Sequence, residues 1–529
     1  MAPLLMPPAG KVPKKPPNMS CLLIPSLTYL NTTLLFIITL SIPALLLLHS
    51  PPSPTSSCNS TSSSPTGRGG GDHPSSYVED DLRRVDFAWN RLAVLDPAVP
   101  PPTSLKIAVF SRKWPSTSSP GGMERHALTL HSALARRGHR VHVYTSALDS
   151  AAAAAALLTN SSNTRMTTYP VVHFLKRSSP NKWDYHEAWS MFQAENGSEP
   201  FDAVHSESVA LPHSLARSLP NLAVSWHGVA LEALHSRIYQ EYLAINDQAP
   251  PPPPQPPTET AAVDVVQKIV AEIRFFHSYS HHVAISDSAG EMLRDVYQIP
   301  PDRVHVILNG VDDEAFGPDP RLGREFRARH GIPDNATVMG VSGRLVKDKG
   351  HPLLHRAFSH LRPGGTTSTP GPVYLLVAGT GPWEQRYREL GRRRGVITLG
   401  ALAPDELGAF YNSLDVFLNP TLRPQGLDLT LMEAMMCGKP IAATGFPSIK
   451  GSVIVDPEMG HTFAPNVESL LEVLNRVVEE GPGRLGERGR ACHKYASSMF
   501  TATKMALAYE RLFLCIKNEE FCTRTPFSN

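Results

Sequence analysis

Cysteine is scarce: six residues in a chain of 529 are too few to staple it, and no CxxC or paired Cys/His spacing offers a thiol metal site. Cys515 and Cys522 form at most one bridge. Net charge is equally lacking. Fifty Lys and Arg against 48 Asp and Glu leave a formal charge of +2, so there is no broad basic field and no nucleic-acid partner is expected. The short run Arg392, Arg393, Arg394 reads as a solvated helix end. No GxGxxG follows the first predicted strand, which disfavours a dinucleotide-dependent dehydrogenase. One stretch lacks charge altogether: residues 29–48, rich in Leu and Ile, have the length a helix needs to cross a bilayer. Lys11, Lys14 and Lys15 precede it and no charged residue follows until Arg68, so the positive-inside bias predicts a cytosolic tail over 1–28 and a lumenal remainder. A cleaved signal is the competing reading, weakened by Pro-rich flanks and the absence of a clear small-residue cleavage site.

What is present is organised. Residues 49–103 are rich in Ser, Thr, Pro and Gly, a composition that cannot bury enough apolar surface to order itself, and predict a stem. Sequons at Asn59, Asn160, Asn196 and Asn335 all follow the apolar run. Low-complexity patches at 151–156 and 250–257 read as surface insertions. With 41% hydrophobic residues, the rest can bury two cores.

Strand and helix patterns alternate through 104–309 and again through 310–490, leaving a helix and tail over 491–529. The first half opens on Lys106-Ile107-Ala108-Val109-Phe110, continues into a helix bearing Met123, Ala127, Leu130 and Leu134, stops at Gly138 and resumes at Val141. The second half repeats the rhythm from Thr337, with helices expected at 467–480 and from 487 onward. Two α/β doubly wound parallel sheets facing each other are predicted, with the site in the cleft between them.

The chemistry-bearing residues fall at strand-to-helix turns. Gly121 and Gly122 open a helix where backbone N–H groups can approach a phosphate. Arg344 and Lys349 follow a strand end and can neutralise a departing diphosphate. Gly379 and Gly381 mark another such turn. A loop through Gln425, Gly426, Leu427, Asp428 and Leu429 leads to Glu433, a carboxylate suited to two vicinal ribose hydroxyls.

Seven segments, GGMERHALTLHSALARRGH, SWHG, VAISDSAGEML, VILNGVD, GRLVKDKG, VAGTGP and PQGLDLTLMEAMMCGKPIAAT, resemble glycosyltransferase family 4 in the order that family shows them, over about residues 106–465. The resemblance implies the GT-B architecture and a retaining hexosyltransferase. Its donor would be a nucleotide sugar, a UDP-sugar first and GDP-mannose second, and its acceptor a glycan or glycoconjugate on the N-terminal half. It also implies that no metal and no cofactor beyond that co-substrate is needed. Arg344 and Lys349 would hold the diphosphate, Gly122 would touch it from the other half, Glu433 would hold the ribose, and His227 would lie beside the transferred sugar. Three positions depart from the pattern. Gln425, a catalytic candidate whose amide can still hydrogen-bond a sugar hydroxyl, stands where the family carries a glutamate, Asp428 where it carries a glycine, and Phe446-Pro447-Ser448 where it carries Gly-Gly. These departures keep open a non-catalytic relative that binds a nucleotide sugar or glycan. The apolar run adds the expectation of a single-pass membrane protein of the Golgi, or alternatively the endoplasmic reticulum, with lumenal catalytic domains.

Overall fold

The computed structural model describes residues 98–115, 121–146, 169–176, 182–245, 262–361 and 371–523, all within the compact unit Ser76–Asn529. The expected tail, membrane anchor at 29–48, most of the stem, and both low-complexity insertions lie outside these residues. Among the described residues no helix is long and apolar enough to cross a membrane.

Two all-parallel sheets form the frame. The first contains β1 Lys106–Phe110, β2 Arg140–Thr145, β3 Val171–Phe174, β4 Ala203–Glu207, β5 Leu222–Trp226, β6 His281–Ala284 and β7 Val304–Val306, in the order β3-β2-β1-β4-β5-β6-β7. The second contains β8 Thr337–Ser342, β9 Val373–Ala378, β10 Val396–Gly400, β11 Val416–Asn419, β12 Ile441–Thr444 and β13 Gly460–Phe463, in the order β10-β9-β8-β11-β12-β13. Continuous apolar runs such as KIAVF are buried throughout, as parallel strands covered on both faces require. In both sheets the order reverses beside the first strand, which opens a crevice at the strands' carboxyl ends.

Beyond the predicted pattern the structure adds β3, β13 and the helices Tyr185–Ser198 and Ala230–Ile245. The two terminal helices expected beyond 467 form one run, Val467–Met499, broken at Gly481, whose φ of 68° precedes Pro482. A proline ring cannot continue the helical ladder, and glycine supplies the left-handed turn.

The chain then returns to the first half. Helix Ala502–Lys517 places Met505, Tyr509, Leu512 and Phe513 in the same core as Ile107, Leu130 and Val143. Glu510 accepts bonds from Arg137 (Nε, 2.5 Å) and lies 2.9 Å from Nε2 of His139. The two crossings between halves run side by side, with Val311 N donating to Phe500 O and Ala502 N to Val311 O. A β-carbon on Gly310 would come within 2.5 Å of the Thr501 carbonyl, so glycine is required at this close approach. Cys515 is disulfide-bonded, whereas Cys437 and Cys492 are free and buried.

Candidate active site

A cleft of about 670 Å³ separates the halves. Gly121, Gly122, His227, Arg344, Lys349, Gly379, Leu427, Asp428 and Leu429 all line it. Gly381, Gly426, Gln425 and Glu433 do not. Gln425 and Gly426 border a smaller neighbouring cavity with His227.

Strand register explains the convergence on the C-terminal wall. Ser342 of β8 pairs with Ala378 of β9, so the next residues, Gly343-Arg344 and Gly379, emerge together. Gly343 N donates to Ala378 O at 3.0 Å and Leu345 N to Thr380 O at 2.9 Å. Gly379 holds φ 125°, and a β-carbon there would overlap the Gly343 carbonyl, which fixes glycine by both conformation and space. Arg344 is 68% exposed and approaches Asp348 at 3.9 Å. Lys349, by contrast, is ion-paired with Asp428, whose second oxygen accepts from Asn419 Nδ2 at 3.1 Å. Burial alone would raise the Asp428 pKa, but Lys349 and Arg423 hold it below the usual range. The acidic residue that replaces the family's glycine thus occupies the lysine expected to hold phosphate.

Glu433 is 2% exposed and both its oxygens are engaged: Arg125 forms an ion pair with Oε1 and Tyr411 OH donates to Oε2 at 2.6 Å. The carboxylate expected to face a ribose is therefore covered by an arginine from the opposite half. Burial works against the Arg125 charge, yet Glu433 raises its pKa. Gln425 is also turned from the cleft, with Nε2 3.1 Å from His235 Nδ1 and its backbone carbonyl accepting from Ser286 Oγ at 2.8 Å. Arg423 crosses to Glu232 at 2.5 Å, tying the same loop to helix Ala230–Ile245.

On the N-terminal wall, helix Gly122–Arg136 starts with no side-chain cap, so its first N–H groups are available to an anion. A β-carbon on Gly122 would meet nothing within 4 Å, whereas one on Gly121 would collide with the Glu124 carboxylate, which folds back over the loop. Adjacent strands β4 and β5 pair Glu207 with Ser225, which brings His227, two residues on, over Glu207. His227 Nε2 lies 2.6 Å from Glu207 Oε2. Glu207 is fully buried. Burial alone would push its pKa up, but the histidines around it, His126 first, hold it well below the ordinary carboxylate range.

Arg125, Tyr411, Glu207 and His126 were not singled out from the sequence. Glu207 sits at a strand's carboxyl end, the position from which ligand contacts come in such sheets, and that signal was readable. Arg125 meets a residue 308 positions away, and nothing local announces such a pair.

Two family models match the chain: Glycosyltransferase Family 4 over residues 120–315 and Glycosyl transferases group 1 over residues 336–480. D-inositol 3-phosphate glycosyltransferase of Stackebrandtia nassauensis is 27% identical over 386 residues, covering 70% of this chain and 82% of that protein. Sucrose-phosphate synthase from Thermosynechococcus elongatus superposes with a TM-score of 0.59 at 17% identity, covering 78% of this chain and 98% of that one. HepE of Anabaena, solved with UDP and glucose, gives a TM-score of 0.55 at 16% identity, covering 76% and 97%. These structures share the GT-B fold of two parallel-sheet halves.

The Golgi-membrane localisation expected from the apolar run is corrected. Among the described residues, which do not include 29–48, no helix is long and apolar enough to cross a membrane. Curated relatives include glycosyltransferases of the bacterium Stackebrandtia nassauensis and the archaeon Methanocaldococcus jannaschii.

Proposed function

We infer that this chain, a glycosyltransferase of the family-4 type by both matched spans, transfers a hexose from a nucleotide sugar to a glycan or glycoconjugate. The observation that carries the reading is the meeting of Arg344, Lys349 and the open helix start at Gly122 on one cleft. Two cations and a set of aimed N–H groups suit a diphosphate whose charge grows as the glycosidic bond breaks. A UDP-sugar is the first donor, supported by the UDP and glucose held by HepE, with GDP-mannose the alternative.

Transfer with retention would place His227, braced by Glu207, beside the sugar. The leaving phosphate accepts the acceptor's proton, so the reaction requires neither an enzymic base nor a metal. For the phosphate to engage Lys349, Asp428 must release it; for a ribose to reach Glu433, Arg125 must swing out. Donor binding on this account is an exchange of ionic partners rather than occupation of a vacant site.

A second reading, binding without transfer, is favoured by the Lys349–Asp428 pair and by the turn of Gln425 toward His235. A panel of UDP-, GDP- and ADP-sugars separates the two. Release of free nucleotide with acceptor supports transfer, binding without release supports the second reading, and neither binding nor release overturns both.

A further inference from the structure

We propose that His126, Glu207 and His227 form a binding site for a divalent transition-metal ion of the zinc type, open to the cleft. Their ligand atoms lie within 4.8 Å of one another, with Glu207 Oε2 2.6 Å from His227 Nε2 and Glu207 Oε1 3.5 Å from His126 Nδ1. Imidazole and carboxylate ligands bind zinc at about 2.0–2.2 Å in a tetrahedron, which sets its ligand atoms roughly 3.3–3.5 Å apart. Small side-chain adjustments bring the three atoms to that spacing, and the fourth position faces the cleft that His126 and His227 line.

The second observation is the state of His126. It is 1% exposed; its Nε2 has no hydrogen-bond partner, and its Nδ1 and Glu207 Oε1, 3.5 Å apart at the outer limit of a hydrogen bond, have no closer one. Buried polar atoms are rarely left so, and an ion between them would engage His126 Nδ1 and a Glu207 oxygen at once.

The deeper group, His131, His205 and Glu207, is also compact, but its nitrogens are spent. His131 bonds Ala127 O at 2.6 Å and His205 at 2.9 Å, and His205 bonds Ser225 Oγ at 2.7 Å. That layer braces Glu207 and leaves the outer three as the ligands. Coordination replaces the His227–Glu207 hydrogen bond, and the Nε2 proton of His227 moves to Nδ1. An ion on His227 takes up the side chain that the proposed function sets beside the sugar and so blocks transfer; that effect rests on the proposed function, whereas metal binding does not.

The test uses purified, chelator-stripped full-length protein titrated with Co²⁺ and followed by visible absorption, then with Zn²⁺ against a chromophoric chelator. The expected result is one Co²⁺ per chain with the intense bands of a four-coordinate ion, displaced by Zn²⁺. His227→Gln, at the cleft surface, weakens Zn²⁺ by more than the roughly ten- to a hundredfold that loss of an outer-shell partner costs. His126→Gln does the same, and thermal unfolding checks that each variant is folded. No four-coordinate Co²⁺ spectrum from the wild-type protein, or Zn²⁺ affinity unchanged in folded His227→Gln, overturns the proposal. Where the donor panel gives turnover, EDTA-reversible inhibition by Zn²⁺ supports the blocking effect, and turnover unaffected by bound Zn²⁺ overturns that effect while leaving the site.

Discussion

The two walls of the cleft hold their charges differently. On the N-terminal side Glu207 is fully buried and surrounded by histidines of its own half, so His227 is oriented before any ligand arrives. On the C-terminal side two charges are held in ion pairs, Lys349 by Asp428 and Glu433 by Arg125 from across the cleft, which under the proposed function a ligand must displace. Preorganised groups lower the cost of reaching a transition state, whereas groups held in exchangeable pairs set when the cleft accepts a donor. One wall is a template and the other a switch.

That contrast breaks first at Arg344, the exposed cation of the switching wall. If it stabilises the departing diphosphate, Arg344→Ala lowers kcat/KM by about a hundred- to a thousandfold, read as nucleotide release. Retention of full activity would remove the diphosphate from this position. Next is Arg125→Ala, which leaves Glu433 buried without its cation and destabilises the protein by about 3 kcal/mol. Denaturant unfolding measures it, and a loss under about 0.5 kcal/mol would show that the cross-cleft pair is not formed in solution.

The template wall is probed by acid. Burial lowers His131 to about 4 and His205 to about 3. Their folded values lie below the unfolded one, so the unfolded chain binds more protons as pH falls below about 6.5. Stability is therefore fully present above that pH and declines toward pH 4, by about 2 kcal/mol for each such histidine at pH 5. A denaturation midpoint that is flat between pH 7 and 5 would contradict the buried neutral cluster. The smallest effect is expected from Asp428→Asn, which frees Lys349 and tightens binding of a nucleoside diphosphate by about tenfold, or 1.4 kcal/mol. Calorimetry that finds weaker binding would mean Asp428 helps hold the ligand.

Most of the architecture was legible because buried parallel strands such as Lys106–Phe110 and Thr337–Ser342 are continuous apolar runs punctuated by glycine turns. β13, four residues reading GHTF, has too little apolar content to stand out. In the site, Arg344 and Gly379 were found because strand ends place them. Glu433 was singled out by sequence, but its partners were not, since one is Arg125 in the other half and the other is Tyr411. The contact of the Gln425 amide with His235 was equally unannounced. Pairing between the halves depends on how they pack against each other, which no local pattern encodes.

The most direct test of the account is calorimetric titration of the full chain with UDP-glucose and GDP-mannose, beside Arg344→Ala and Lys349→Ala. One nucleotide sugar bound per chain, weakened by about tenfold or more in each variant, is the predicted result. Absence of binding to either sugar, or binding that neither substitution changes, would contradict it.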